Sequence, residues 1–435
     1  MLGESFAKKW KVPTNQNLTL RLGSVKQEVK VVAAGISGMR ITPSLSDKLG
    51  LHSGAKLCLQ YKPNSRTLVI GPMIGVMISR EYPGNAEKPF GSATAFCKEM
   101  TEAGEQFGTL VFFFPPAAMH ASASSVDGWS YAEGKWAKKS FPIPNTIYNR
   151  LTSRKYENMA NVQQFMKDVK SRNHTEIFNE KYLNKTEVFD ALRKNVTLHG
   201  YLPESHLLRN YQMLKTMSSR YPVLFLKPIT GSLGKGIIRV RKEEGGTYKC
   251  YFTNLSGVRK QSFSSLTALF RSLSGKLKSR RYQIQQGLQL IAVGGRPVDF
   301  RALVHKGSHG KWTITSIVAR IAGIEHFVSN LARGGSLSPL KEALAKSSLS
   351  PSQRISVSGK LRKAALDIAN GIDEQIDHHF GELGIDLAAD MSGKVWLLEV
   401  NSKPSKDDNT PLSAKRKIRP SVKQVIQYAR YLAKF

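Results

Sequence analysis

Gly384-Ile385-Asp386 opens one strand-like run and Trp396-Leu397-Leu398-Glu399-Val400-Asn401 forms a second, with a turn signal at Ser392-Gly393 between them and Glu399 thirteen positions after Asp386. If the two runs pair as a hairpin, three oxygen ligands converge. Glu399 and Asn401 lie two apart and so share one face of their strand, and an antiparallel partner can set Asp386 beside them. Carboxylate and amide oxygens are the donors magnesium prefers, and that ion is usually shared with nucleotide phosphates. The hairpin therefore predicts a phosphate cradle elsewhere in the chain.

Such a cradle lies upstream. Leu226-Lys227-Pro228-Ile229-Thr230-Gly231-Ser232-Leu233-Gly234-Lys235-Gly236-Ile237 carries three glycines within six residues. Glycine admits positive φ and lets backbone N–H groups approach anionic oxygens; Thr230 and Ser232 add hydroxyl donors, and Lys227 adds a point charge. This is not a Walker A loop, because Gly-x-x-x-x-Gly-Lys-Ser/Thr is absent and the loop joins two predicted strands. An ordinary Gly-rich hairpin is the plain alternative. Lys185, about forty residues earlier at the start of a predicted helix, is a second cation in the same order, or else a solvated helix-start lysine. Further on, Arg296-Pro297-Val298-Asp299-Phe300-Arg301 puts Asp299 and Arg301 on one strand face. They form either a structural ion pair or contacts to a ribose and a phosphate.

With 435 residues, 41% of them hydrophobic, the chain is long enough for two or three domains with ordinary cores. Cys58, Cys97 and Cys250 are scattered and odd in number, which argues against a disulfide framework and for a reducing compartment of synthesis. No apolar run approaches the roughly 20 residues of a membrane span, so a soluble or peripherally attached protein is expected. Lys and Arg number 65 against 32 Asp and Glu, a net charge of +33 that favours association with nucleotides, nucleic acids or acidic polymers. The basic residues are spread along the chain, with only short clusters at Lys276 to Arg281 and Lys415 to Arg419. No zinc-finger spacing, leucine-zipper heptad or RNP-like signature marks a dedicated nucleic-acid reader. His305, His326, His378 and His379 lack partners at catalytic or metal-ligand spacing and are expected to be structural; no Gly-x-Ser-x-Gly elbow is present.

Three segments are expected: a small β module over 1–70, an α/β layer over 71–150 and a larger α+β unit over 151–435. In the first, Leu18 to Leu22 and Leu57 to Tyr61 alternate apolar and polar positions. In the second, a buried strand at Val69 to Ile78 precedes a helix from about Ser92 to Gly108 and a strand at Thr109 to Phe114, and Ala117 to Gly134 reads as a loop. The third begins with predicted helices at Asn158 to Arg172, from Lys185 to Leu192, and at Glu204 to Ser219, with Pro203 in the first turn of the last. Predicted strands follow at Val223 to Lys227, Gly236 to Val240, Tyr282 to Gln286, Val298 to Lys306 and Trp312 to Arg320. Helices are expected from Leu361 to Glu382 and from Ser421 to Ala433.

The order of these parts resembles the ATP-grasp fold: a lysine at a helix start, a strand ending in Lys-Pro, a Gly-rich hairpin, Asp-x-Arg, a later arginine, then Asp followed by Glu-x-Asn. The finer wording is similar to the YheC/YheD-type ATP-grasp proteins associated with endospore coats, in Tyr148-Asn149-Arg150, Phe178-Asn179, Tyr201-Leu202-Pro203-Glu204-Ser205, Gln285-Gln286-Gly287 and Trp396 to Pro404. The resemblance implies two α+β subdomains clamping ATP, with a lid hairpin at about 221–241, preceded by a Rossmann-like pre-ATP-grasp domain and the β module. It implies that Lys185 and Lys227 bind the ATP phosphates under a loop of Thr230, Gly231, Ser232, Gly234 and Gly236. Gln286 and Gly287 would form the adenine hinge, with Gln286 where glutamate is common. Asp299 would take the ribose, Arg301 would join the nucleotide-binding set, and Arg320 would take the transferred phosphate. Asp386, Glu399 and Asn401 would hold two magnesium ions, with manganese as the alternative, and Asn330 with Gly334-Gly335 would lie near the acceptor.

The implied reaction is ATP-dependent ligation of a carboxylate to an amine or thiol through an acyl phosphate, on a peptide or envelope polymer. Synthesis in the mother-cell cytoplasm and attachment to the endospore coat go with it. The alternative is a non-catalytic, nucleotide-binding coat protein whose basic surface fastens it to acidic coat partners.

Overall fold

The computed structural model describes residues 1–230, 235–254, 257–323, 334–406 and 418–435. Gly231, Ser232 and Gly234 of the Gly-rich loop, together with Asn330, lie outside the described residues, as does His326.

The N-terminal module is a four-stranded sheet in the order Val25–Val31, Gln16–Leu22, Thr67–Gly71, Cys58–Lys62. Leu18, Leu20 and Leu22 alternate inward, and they join one core with Phe112, Phe141 and Ile143 of the following sheet, so the module is packed onto its neighbour. That neighbour is a six-stranded sheet whose centre is parallel: Leu110–Phe114, Met73–Met77, Thr146–Asn149 and Glu176–Phe178. Helix Thr94–Gln106 and helix Ala160–Asn173 are the crossovers that parallel pairing requires.

Two expectations are corrected in this sheet. Ala117 to Gly134 is not all loop, because Ser125–Ala132 pairs with Lys135–Pro142 as a hairpin turned at Glu133-Gly134, both at positive φ. Val126 and Trp129, three apart, point to opposite faces of the sheet and enter different cores, so no one-sided alternation marks the strand. The segment limit at 150 also falls between two adjacent strands, so this sheet runs on to Phe178.

The rest of the chain forms two antiparallel sheets facing each other. One has the order Ser205–Leu208, Tyr282–Gln286, Val223–Pro228, Ile238–Lys242, Tyr248–Asn254, Gly257–Phe263, backed by helices Tyr211–Arg220 and Leu266–Ser279 around Leu224, Leu226, Ile284 and Leu269. The other runs Ser336–Pro339, Trp312–Ile321, Arg296–Lys306, Glu382–Ala389, Val395–Asn401. Its back is covered by helix Pro351–Gln375 through Val357, Leu361, Ala365, Ile368 and Ile372, a spacing that repeats one helical face.

Two helix expectations shift. The expected helix from Leu361 to Glu382 is Pro351–Gln375, started by a Ser350/Gln353 capping box with Pro351 in the first turn, while Glu382 already begins a strand. The helix expected from Glu204 starts at Tyr211, where the Asn210 side chain accepts the Met213 N–H at 3.0 Å; Ser205–Leu208 instead pairs with Tyr282–Gln286. The closing helix, Pro420–Leu432, packs Val422, Val425 and Ile426 against Ile74, Val76 and Tyr148, tying the chain's end to the parallel sheet. No helix among the described residues is long and apolar enough to cross a membrane.

Candidate functional site

The hairpin predicted from Asp386 and Glu399 forms with these two residues directly opposite each other, and Gly384 opposite Asn401. A bulge after this pair inserts Leu398, so Leu398 and Glu399 both reach the cleft in front of the sheet. The turn is fixed by the Asp390 carboxylate, which accepts the N–H groups of Ser392 and Lys394 at 2.9 and 3.0 Å. Across the neighbouring strands Arg301 faces Asp386, and Arg320 faces Asp299. Opposite residues of an antiparallel ladder point the same way, so five charged side chains from four strands share one face.

The sequence left Asp299 and Arg301 open as a pair, but each takes a partner on the next strand. Arg320 donates from Nε to Asp299 Oδ1 at 2.6 Å, and its Nη2 lies 3.0 Å from Asp386 Oδ2. Arg301 grips the same carboxylate through Nε and, at 3.1 Å, through Nη2. Burial pushes the Asp386 pKa up, but the guanidiniums of Arg301 and Arg320 outweigh it and hold the carboxyl at about 2. Burial opposes the charge on Arg320 in turn, and Asp299 and Asp386 more than restore it.

The expected phosphate lysines reach this face from two other elements. Lys185 is the first residue of helix Lys185–Leu192, placed by the Asn184 cap on Glu187 N–H at 2.8 Å, and its Nζ lies 3.0 Å from Glu399 Oε1. Lys227 points down from strand Val223–Pro228, where its ammonium donates to Gln285 Oε1 at 2.5 Å. Enclosure lowers its pKa to about 8 against the pull of Glu399. Thr230 and Gly236 flank the loop, Thr230 exposed and Gly236 at φ +72°. Gly334, from the stretch expected near the acceptor, also has positive φ.

At the expected adenine hinge, Gln286 N–H is donated to Glu204 O at 2.9 Å and its side-chain oxygen accepts Glu204 N–H at 2.7 Å. Gly287 N–H goes to Val223 O at 2.7 Å. These two N–H groups are therefore engaged within the protein, and Leu288 is the next residue of the hinge that lines the cleft. Gly287 is required by the close approach: a Cβ there would sit 2.6 Å from Val223 Cβ.

Lys185, Lys227, Gln286, Asp299, Arg301, Arg320, Asp386, Glu399 and Asn401 all border one cavity of about 2160 Å³, whereas Thr230, Gly236 and Gly334 do not line it. Sequence reasoning missed its apolar walls, Phe225 and Ile237 from the lid side and Leu398 from below. The alternation Val223, Phe225, Lys227 was the available signal, since Leu224 and Leu226 turn into the lid core. It also missed a basic group in the cavity wall, Arg80, Arg150, Arg154, Lys403 and Lys406, whose members come from three distant stretches. His305 is structural as expected: fully buried, with Nε2 2.9 Å from Glu382 and Nδ1 2.7 Å from Thr315 Oγ1.

The donor set fits a magnesium-nucleotide. Asp386 and Glu399 carboxylates and the Asn401 amide lie on one face, with Lys185, Lys227, Arg301 and Arg320 around them.

The sequence is 29% identical to endospore coat-associated protein YheD of Bacillus subtilis (strain 168) over 343 residues, 79% of this chain and 75% of that one. It is 24% identical to endospore coat-associated protein YheC of the same organism over 329 residues, 74% of this chain and 88% of that one. The D-alanine-D-alanine ligase from Coxiella burnetii is similar in structure, with 12% identity and a TM-score of 0.46, over 83% of this chain and 95% of that one. Residues 174–432 match the family described as YheC/D like ATP-grasp. That span holds both antiparallel sheets and every carboxylate of the site, and the chain belongs to the YheC/D-like ATP-grasp family.

Proposed function

We propose that the chain is an ATP-dependent ligase that joins a carboxylate to an amine by way of an acyl phosphate. The observation that carries the reading is the meeting of Lys185, Lys227, Arg301 and Arg320 with Asp386, Glu399 and Asn401 at one end of a cavity large enough for a nucleotide and a second substrate. Asp386, Glu399 and Asn401 would hold magnesium, one or two ions with manganese as the alternative, which when bound supplies neutralisation of phosphate charge. Lys185 and Lys227 bind the β and γ phosphates, which requires Lys185 to turn from Glu399 toward the nucleotide. Phe225, Ile237 and Leu398 enclose the base, and Asp299 accepts from the ribose.

Arg320 stabilises charge on the phosphoryl group as the substrate carboxylate attacks it and ADP leaves. The amine then attacks the acyl carbon and phosphate departs. Lid residues from Thr230 to Gly236 exclude water from the mixed anhydride. The chemistry needs no protein nucleophile, and burial raises the pKa of both Cys97 and Cys250, the latter to about 12. The coat-associated relatives support a role at the spore envelope, with synthesis in the mother cell.

The second reading, a nucleotide-binding coat protein without turnover, is favoured by the ion pairs that already satisfy Asp386 and Glu399. The two separate on one measurement. A ligase releases ADP in a magnesium-dependent way when given amines with carboxylates, and Glu399→Ala abolishes release while the protein stays folded. Absence of release, with normal spore assembly by Glu399→Ala, would establish the second reading instead.

A further inference from the structure

One end of the same cavity, where Arg80, Arg150, Arg154, Lys403 and Lys406 line it, is walled by side chains that the ligase chemistry leaves unused. Arg150 Nη1 is buried without a hydrogen-bond partner among the described residues, and its nearest carboxylate oxygen, Glu382 Oε2, is 3.8 Å away. A buried donor left unmatched is uncommon and calls for a ligand. Arg154 and Arg80 flank it and are oriented by neutral acceptors: Arg154 Nη2 donates to Leu183 O at 2.6 Å, and Arg80 Nε to Tyr156 Oη at 2.7 Å. Such bonds fix the direction of a guanidinium without cancelling its charge. Lys403 and Lys406 complete the wall, paired from behind with Glu157 and Glu382. Among the described residues these five cations meet two carboxylates, Glu157 and Glu382, neither of which lines the cavity.

We infer that this end binds a second carboxylate of the acceptor substrate, and that the substrate is an acidic peptide carrying at least two carboxylates. The inference rests on the ligase reading, which requires one carboxylate beside Arg320; the basic wall then seats another on the same molecule. Forked guanidiniums match carboxylate geometry in two bonds. A cavity of about 2160 Å³ exceeds the roughly 300–1,000 Å³ of a single small-ligand pocket, leaving room for a chain beyond the nucleotide. The Tyr182 ring, with Arg154 5.0 Å and Lys403 4.7 Å from its centroid, gives this end an apolar floor suited to peptide methylenes.

The test is calorimetric titration of the full chain with a short oligoglutamate, with oligoglutamine of equal length as control. Oligoglutamate should bind and oligoglutamine should not. Arg80→Gln and Arg154→Gln should each weaken oligoglutamate about tenfold, with MgADP affinity held within about twofold. Arg80 is exposed, so its variant reports even if Arg150→Gln fails to fold. Equal binding of the two peptides, or variants without effect, overturns the inference. Tighter binding of an oligonucleotide at the same residues would overturn it in favour of a phosphate site, and full competition by glutarate would reduce the substrate to a small diacid and overturn the peptide. Oligoglutamate binding without ADP release defeats the ligase reading alone; equal ADP release from substrates with a single carboxylate defeats this inference alone.

Discussion

Replacing Asp386 by asparagine keeps the side-chain shape and removes the one carboxylate that Arg301 and Arg320 share. A carboxyl carried from 3.8 to about 2 by folding contributes roughly 2 kcal/mol at neutral pH, at about 1.4 kcal/mol per pKa unit. Breaking a buried pair and leaving its cation uncompensated typically costs about 3–5 kcal/mol, and Asp299 still serves Arg320, so about 2–4 kcal/mol is expected. The sign is fixed by direction. Because the folded value lies below the unfolded one, the stabilisation is full above about pH 4 and fades as pH falls toward 2. Urea unfolding from pH 7 to pH 2, with hydrogen exchange in strand Glu382–Ala389 as the local readout, should show the variant weaker at pH 7 and its deficit closing below pH 4. MgATP affinity should fall at least about tenfold in parallel. Equal unfolding midpoints at pH 7, or curves that stay parallel through pH 4 to 2, would refute the placement of Asp386 as counter-ion to both arginines.

Lys227 is charged below its pKa of about 8, so nucleotide affinity should decline as pH rises from 7 to 9, whereas Lys227→Met should bind weakly with no such decline when titrated by calorimetry. Gly287→Ala drives a Cβ to 2.6 Å from Val223 Cβ and 2.7 Å from Val223 O, which should cost about 1–3 kcal/mol in urea unfolding. Val223→Ala should rescue it little, because it removes only the Cγ1 contact and leaves both the Cβ and the carbonyl. Glu382 is held ionised, its burial outweighed by Lys406, His305 and Arg150; Glu382→Gln should destabilise the protein by roughly 3–5 kcal/mol, and an unchanged thermal midpoint would deny it that role.

What the sequence disclosed and what it hid divide by distance along the chain. The hairpin carrying Asp386 and Glu399 was legible because its period, its turn and its ligands all lie within about twenty residues. The strand faces of Asp299, Arg301 and Lys227 followed from alternation alone. Their partners did not: Arg320 meets Asp299 across a hairpin whose register is shifted by a bulge at Leu303/Val304, and it reaches Asp386 only because the distant strand Glu382–Ala389 pairs beside them. Helix Pro351–Gln375 was misplaced because its first turns, Ser352 to Lys360, are mostly polar, and only the Ser350-Pro351 cap marks the start. The basic wall was illegible in principle, since Arg80, Arg154 and Lys403 come from distant stretches and line one cavity only in the folded chain.

That packing also explains how one set of carboxylates can serve both stability and metal. Among the described residues four cations, Lys185, Lys227, Arg301 and Arg320, stand against three carboxylates, Asp299, Asp386 and Glu399, so these groups nearly balance. A divalent ion arriving alone meets carboxylates already engaged by fixed positive charge, and both terms oppose it. Under the proposed function a nucleotide bringing its own magnesium would change the partners instead of the balance: Lys185 and Lys227 would hold phosphates, and Glu399, released by Lys185, would be among the residues that hold the ion. Arg301 and Arg320 keep Asp386 ionised throughout, so no proton need leave for the metal to enter. The ion pairs that first suggest a closed structural cluster are thus compatible with the proposed joint entry of magnesium and nucleotide, and tighter binding of magnesium alone than of magnesium with ADP would refute that account.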